Sequence, residues 1–294
     1  MLALIAGRGQ LPGHVVAAHG APVIVAALEG FAPDHLTPDI TFRVERLGSF
    51  IADLKARGAD AICMAGAIGR PKLDPAMIDA ATMPMVPRMM QALGQGDDGA
   101  LRVVIAMFEE AGFTIHAAHE LCPDRLLAAG IPTQAQPGPE HEGAARLGMA
   151  TIAEMGRSDT GQACVVRRGD VLAREGADGT DAMLARLGSG TDTSDPDPLT
   201  WGFTAITDAA TTALDWLGGR EAADHGGAIL CKAPKPQQDR RVDLPTIGPG
   251  TAMRAADAGL DGIVIEAGGV IVLDQASVLR ILDERGLFLW VRSP

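Results

Sequence analysis

Tyrosine is absent from this chain, and aromatic residues make up only 3% of it. So sparse a set offers no row of rings on which the bases of a single-stranded nucleic acid would stack. Basic residues are short too: 25 Lys and Arg stand against 37 Asp and Glu, a formal net charge of −12. Proteins that track a phosphate backbone need a basic face, so nucleic acid is not the expected partner. Any anionic ligand must instead be met by a local cluster of charge. No apolar run approaches the roughly 18–20 residues of a spanning helix. The four cysteines, Cys63, Cys122, Cys164 and Cys231, are far apart and form no C-x-x-C pair. They read as reduced core thiols of a cytosolic protein rather than as zinc ligands. The first seven residues lack the basic region of a signal peptide.

What the chain does have is alternation of strand and helix. With 294 residues, 47% of them apolar, it has enough material for two domains or one large α/β unit. An apolar strand over 2–6 runs into Gly7-Arg8-Gly9-Gln10-Leu11-Pro12, followed by a helix over 13–19 and a strand over 23–27. Strand, glycine turn, helix and strand open a doubly wound, Rossmann-like parallel sheet. The turn offers backbone N–H groups and a helix N-terminus to an anion. As a dinucleotide signature it is imperfect, because Pro12 takes the place of the third glycine. Glu29 stands at the distance of a ribose contact, which keeps a nicotinamide-dependent oxidoreductase as a minor alternative.

A helix over 50–57 and a strand over 61–65 continue the pattern into a second strand-end loop, Gly66-Ala67-Ile68-Gly69-Arg70-Pro71-Lys72. Crevices of open parallel sheets lie beyond the carboxyl ends of strands, so both loops should face one ligand. Asp97 and Asp98 precede a helix over 100–111 and read as caps, with a metal role as the alternative. His116, His119 and Glu120 lack zincin spacing and read as structural. Pro132, Pro137 and Pro139 mark 127–141 as a linker between a domain over 1–126 and one over 142–294.

The second half reads as a helix over 142–155, strands over 163–167 and 171–174 joined at Gly169-Asp170, and a helix from Ala182. Between them, Glu175, Asp178, Thr180 and Asp181 lie on a glycine-rich loop that could hold a divalent cation or a sugar hydroxyl, or serve as a helix cap. An acidic insertion over 188–198 and a helix over 205–217 follow. Later come a helix over 251–258, a strand over 262–266, a hairpin at Gly268-Gly269, a returning strand over 270–273, a helix over 275–285 and a final strand over 287–291. Two hairpins make the C-terminal sheet partly antiparallel, so this half is a mixed-sheet α/β domain.

The densest chemistry lies over 228–249. A buried-strand pattern runs into Lys232, Lys235, Asp239, Arg240, Arg241 and Asp243, stiffened by Pro234, Pro236 and Pro245. Charges on a rigid strand-end loop suit a phosphate and metal site; a solvated loop with surface ion pairs is the other reading.

Leu4-Ile5-Ala6-Gly7-Arg8-Gly9-Gln10-Leu11-Pro12, Gly161-Gln162, Glu175-Gly176-Ala177-Asp178-Gly179-Thr180-Asp181, Lys232-Ala233-Pro234-Lys235-Pro236 and Arg241-Val242-Asp243-Leu244-Pro245-Thr246-Ile247-Gly248 occur in that order. Together they resemble the LpxI-type UDP-2,3-diacylglucosamine pyrophosphatases of lipid A synthesis. Arg8, in a turn usually rich in glycine, and the insertion between Gly188 and Gly227 depart from that pattern. The resemblance implies a two-domain enzyme with substrate between the domains, and Mg²⁺-assisted hydrolysis of a nucleotide-sugar lipid to a diacylglucosamine 1-phosphate and UMP. It implies Asp243 and Lys232 as catalytic residues, and Asp243 with Asp181 as metal ligands. Substrate contacts carried over from it are Gln10, Gly66, Ala67, Gln162, Thr180, Asp181, Lys232, Val242, Asp243, Leu244, Pro245, Thr246, Ile247, Gly248 and Pro249. A non-catalytic carrier of a nucleotide-linked lipid would need much the same residues. Met83, Met85, Met89 and Met90 could line an acyl groove or pack a core. Peripheral contact with the inner membrane and a homodimer stay open.

Overall fold

A computed structural model of the chain describes residues 1–69, 71–93, 97–188, 226–236 and 238–294. Arg70, Gly96 and the expected acidic insertion and helix within 189–225 lie outside those residues. The first half is a parallel sheet of β1 (Leu2–Ala6), β2 (Val23–Leu28), β3 (Ile40–Phe42), β4 (Ala61–Ala65) and β5 (Thr114–His116), in the order β3-β2-β1-β4-β5. That is the doubly wound order, and it reverses between β1 and β4. Helices α1 (Leu11–His19), α2 (Leu47–Ala56), α3 (Val86–Leu93), α4 (Asp97–Glu110) and the single turn α5 (Ala118–Leu121) complete this half.

Both faces of this sheet are covered, which explains why its strands read as continuous apolar runs rather than alternating ones. Ala3, Ile5, Ile24 and Ile62 meet Phe50, Leu54, Ile105 and Phe108 on one face. Leu2, Leu4, Ala6, Val25 and Cys63 meet Val15 and Cys122 on the other. Pro12 sits in the first turn of α1, where its missing N–H costs nothing. The proline therefore starts the helix earlier than the expected 13–19. Strand β3 and helix α3 were not anticipated: three residues carry too little periodicity, and prolines obscured the other.

The second half contains α6 (Pro139–Arg157), β6 (Ala163–Arg167), β7 (Asp170–Arg174), α7 (Gly179–Gly188), β8 (Ala228–Lys232), β9 (Thr246–Ile247), α8 (Pro249–Asp257), β10 (Gly262–Glu266), β11 (Ile271–Val272), α9 (Gln275–Arg285) and β12 (Phe288–Arg292). Its main sheet runs β12-β10-β8-β6-β7. The pairs β12–β10 and β10–β8 are parallel, while β6 is antiparallel to both β8 and β7. It is the mixed sheet the sequence implied, with Met183, Leu184, Ala252, Val278 and Leu282 packed on one face and Ala144, Ala145, Ile152 and Met155 on the other. All four cysteines are buried and free.

Three local expectations need correction. The β6–β7 turn is Arg168-Gly169, both at positive φ, as a two-residue hairpin with right-twisting strands requires; Asp170 already belongs to the strand. Gly268-Gly269 does not make a hairpin. The chain crosses to β9, with which β11 pairs in parallel as a separate two-stranded sheet. Within 127–141, Gly130 exchanges backbone hydrogen bonds with Val291, Thr133 accepts from the Leu289 N–H, and α6 begins at Pro139. The segment marked as a linker is thus docked in part on the C-terminal sheet.

Candidate active site

The glycine turn after β1 and the loop after β4 clasp each other at the point where the sheet order reverses. The Gly7 N–H donates to Ala65, and Arg8 and Ala67 exchange backbone hydrogen bonds at 2.9 Å. A Cβ on Gly7 would stand 2.6 Å from the Ala67 oxygen. Gly66, at φ +91°, would bring one within 2.6 Å of the Gly7 oxygen. Side chains are thus excluded from this crossing. The clasp uses the Gly7 and Arg8 amides, and Gly9 donates to Asp34 at 2.9 Å. These three amides are committed within the protein, so the turn is not the pyrophosphate cradle of a dinucleotide fold. Glu29, the proposed ribose ligand, pairs with Arg43 at 2.9 Å.

Facing this clasp is the loop between β8 and β9. A cleft of about 350 Å³ separates the two and draws its walls from both domains. Arg8, Gly9, Gln10, Gly66, Ala67 and His119 line it from the N-terminal side. Gln162, Lys232, Arg240, Arg241, Val242, Asp243, Leu244 and Thr246 line it from the C-terminal side. The loop is also fastened across the gap. Arg241 holds Asp239 on its own loop and reaches Glu109 of α4 at 2.7 Å, while Val242 packs against the N-terminal core. These two carboxylates raise the Arg241 pKa further.

Lys232 ends β8 almost completely buried, and its Nζ donates to the Thr180 hydroxyl at 2.8 Å. Burial lowers its pKa, and Glu175, Asp181 and Asp243 pull the other way. Asp243 accepts a hydrogen bond from Gln238 Nε2 at 2.5 Å. The same amide nitrogen lies 3.3 Å from Gln162 Oε1, and Gln238 Oε1 accepts from the Lys235 N–H at 3.0 Å. Gln238, only 7% exposed, therefore braces the Asp243 carboxylate from inside the loop. Among the described residues lining the cleft, Asp243 is the one carboxylate, and it stands among Lys232, Arg8, Arg240 and Arg241.

Of the residues carried over from the resemblance, Gln10, Gly66, Ala67, Gln162, Lys232, Val242, Asp243, Leu244 and Thr246 meet at this cleft. Thr180 lies behind Lys232. Pro245, Ile247, Gly248 and Pro249 do not line it: Ile247 is a buried strand residue in the core, and Gly248-Pro249 starts α8. Asp181 does not line it either. Its side chain is 58% exposed and pairs with Arg254 at 3.2 Å, so the expected joint ligation of a metal by Asp181 and Asp243 is not assembled here. Among the described residues no three His, Cys, Asp or Glu side chains gather as a metal cage.

Two contributors, His119 and Gln238, escaped sequence reasoning, and a third, Glu175, was given other roles. His119, read as structural, lines the cleft, and burial lowers its pKa. Gln238 and Glu175 are buried polar residues whose roles come from partners 76 and 13 residues away. No local pattern marks Gln238; Glu175, read as a cation or sugar ligand or a cap, instead faces Thr180 and the Gln162 N–H.

The two halves of the chain match the LpxI N-terminal domain over residues 1–125 and the LpxI C-terminal domain over residues 128–290. The UDP-2,3-diacylglucosamine pyrophosphatase LpxI of Caulobacter vibrioides is 38% identical over 293 residues, covering 98% of this chain and 96% of the relative. A two-domain match of this extent, with the cleft formed between the matched halves, shows that the chain belongs to the LpxI family.

Proposed function

We propose that this protein hydrolyses the pyrophosphate bond of UDP-2,3-diacylglucosamine, giving 2,3-diacylglucosamine 1-phosphate and UMP in lipid A synthesis. One observation carries the reading beyond the family likeness: among the described residues a single carboxylate, Asp243, lines the interdomain cleft together with four cationic side chains. A pyrophosphate brings negative oxygens that need neutralising, and its hydrolysis needs one acceptor aimed at water. Water adds to one phosphorus, the P–O–P bridge breaks, and each product keeps one phosphate. In this reading Lys232 neutralises charge on non-bridging oxygens as the bridge breaks. Its buried position makes that interaction stronger than it would be in bulk water. Asp243, with its orientation fixed by Gln238, aligns the water and accepts its proton. Gln10 and the Gly66–Ala67 backbone support the far side of the ligand.

The donor set fits magnesium held jointly with substrate. Mg²⁺ keeps several waters and takes one or two carboxylates together with phosphate oxygens; among the cleft's described residues Asp243 is an oxygen donor of that kind. When bound, the ion would neutralise phosphoryl charge and lower the pKa of a bound water. Asp181, paired with Arg254, has no part in this assignment.

The substrate's acyl chains call for an approach to lipid. Among the described residues, five of the seven exposed large apolar side chains, Ile68, Leu73, Met77, Met83 and Met90, fall within 68–90. This segment continues from the Gly66–Ala67 wall of the cleft and has three basic residues against two acidic ones, in a chain of net charge −12. Its exposed apolar side chains support peripheral contact with a membrane surface through this segment.

The deciding experiment incubates purified protein with UDP-2,3-diacylglucosamine and magnesium in ¹⁸O water, with mass spectrometry of both products. Release of UMP and the lipid 1-phosphate, one of them carrying ¹⁸O, is expected. Tight substrate binding without UMP release would identify a carrier instead.

A further inference from the structure

Glu175 follows β7, away from the cleft wall, yet its carboxylate is almost fully buried. Oε2 accepts from the Gln162 N–H at 2.7 Å, and Oε1 accepts from the Thr180 hydroxyl at 2.5 Å. That hydroxyl is also the acceptor for Lys232 Nζ at 2.8 Å. A hydroxyl has one proton to give. Because the carboxylate takes it, the Thr180 oxygen turns a lone pair to the ammonium. The direction of the chain is fixed as Lys232 to Thr180 to Glu175.

The backbone holds Glu175 in place as firmly as the side chain is held. Its N–H donates to Ala163 at 2.9 Å. A Cβ on Gly161 would come within 2.6 Å of the Glu175 oxygen, so glycine permits this approach. Glu175 also reaches the other reactive group. Gln162, fixed through its N–H, contacts Gln238, and Gln238 donates to Asp243. One buried carboxylate thus stands behind both Lys232 and Asp243. Burying a charge is costly without such partners, and a carboxylate serving only as a helix cap would be at the surface of the α7 turn.

We propose that Glu175 is a positioning residue that orients the Lys232 ammonium toward the cleft through Thr180; this rests on the pyrophosphatase reading of the cleft. Its negative charge also favours the protonated lysine, opposing the effect of burial.

The test compares UMP release by the parent, Glu175→Gln and Thr180→Val, with thermal melts of all three. In Glu175→Gln, an amide donor can replace the acceptor facing Thr180, leaving that hydroxyl between two donors. We expect kcat to fall roughly 10–100-fold, as when an outer partner of a reactive group is removed, with KM changed by less than about threefold. Loss of the carboxylate's charge lowers the Lys232 pKa, so the alkaline limb of kcat/KM moves to lower pH. Thr180→Val cuts the same chain one link nearer the lysine and should show the same kcat loss; Glu175→Asp should recover part of the rate.

Parental kcat with an unmoved alkaline limb in Glu175→Gln overturns the proposal alone. So does activity that falls only in step with the folded fraction, or failure of both variants to fold, since Glu175 is then structural. A parent that releases no UMP removes the pyrophosphatase reading itself.

Discussion

Asp243 and Lys232 lie in one loop region of the sequence, but the structure gives them different environments. The carboxylate lines the cleft and is braced by Gln238; the ammonium is buried on Thr180. Asp243→Asn keeps size and removes charge, so the fold should survive while turnover falls by roughly 10²–10³-fold or more. Parental UMP release from the purified, folded variant would refute the role given to Asp243. A second residue-level prediction concerns acid. Burial pushes the Glu45 carboxyl up, but hydrogen bonds from Arg43 and the Asp74 N–H prevail and hold its pKa at about 2. A carboxylate depressed in the folded state contributes stability above its unfolded pKa of about 4.5, and that contribution is lost as pH falls toward 2. Glu45→Ala, leaving those donors unpaired, should cost roughly 1–3 kcal/mol at pH 7. The difference from the parent should shrink in melts run below pH 4.5; a difference independent of pH would contradict the assignment.

At the scale of elements, the site depends on a crossing of two loops that admits no side chain. Gly66 is at positive φ and its missing Cβ faces the Gly7 oxygen. Gly66→Ala should therefore cost roughly 1–3 kcal/mol from overpacking and strain, with a lower melting temperature and weakened substrate binding. An unchanged melt and KM would mean that the clasp yields easily. The strands behind this crossing were legible because each is a short apolar run ended by glycine. The start of α1 lies two residues before the expected 13–19, because a first-turn proline suits a helix. The presumed hairpin at Gly268-Gly269 was misjudged for a different reason. A pair of glycines signals a change of direction, while the choice of strand to pair with belongs to distant residues, here Thr246 and Ile247.

On the scale of the whole molecule, two domains share one cleft and Arg241 pairs across it with Glu109. No helix among the described residues is long and apolar enough to cross a membrane; the approach to lipid proposed above uses the 68–90 segment. Met83→Asp with Met90→Asp places charge on the most exposed part of the 68–90 face. Co-sedimentation with phosphatidylglycerol-containing vesicles should drop several-fold, while the melting temperature is kept. Equal sedimentation of parent and variant would assign membrane contact to another face. Sequence left the methionines divided between groove and core, and the structure divides them as well: Met85 and Met89 pack against the core, whereas Met83 and Met90 face outward.

By itself the sequence determined the α/β alternation, the two domains' sheet types and the charged loop around Lys232 and Asp243, because apolar runs, glycine turns and prolines act over a few residues. Only the tertiary structure decided the surroundings of each carboxylate. The sequence reads Asp181 and Glu175 as carboxylates of one glycine-rich loop, yet Asp181 falls in α7, exposed and paired with Arg254, while Glu175 is buried behind Lys232. Burial and hydrogen-bond partners set the chemistry of a carboxylate, and both are supplied by chain segments far away in sequence.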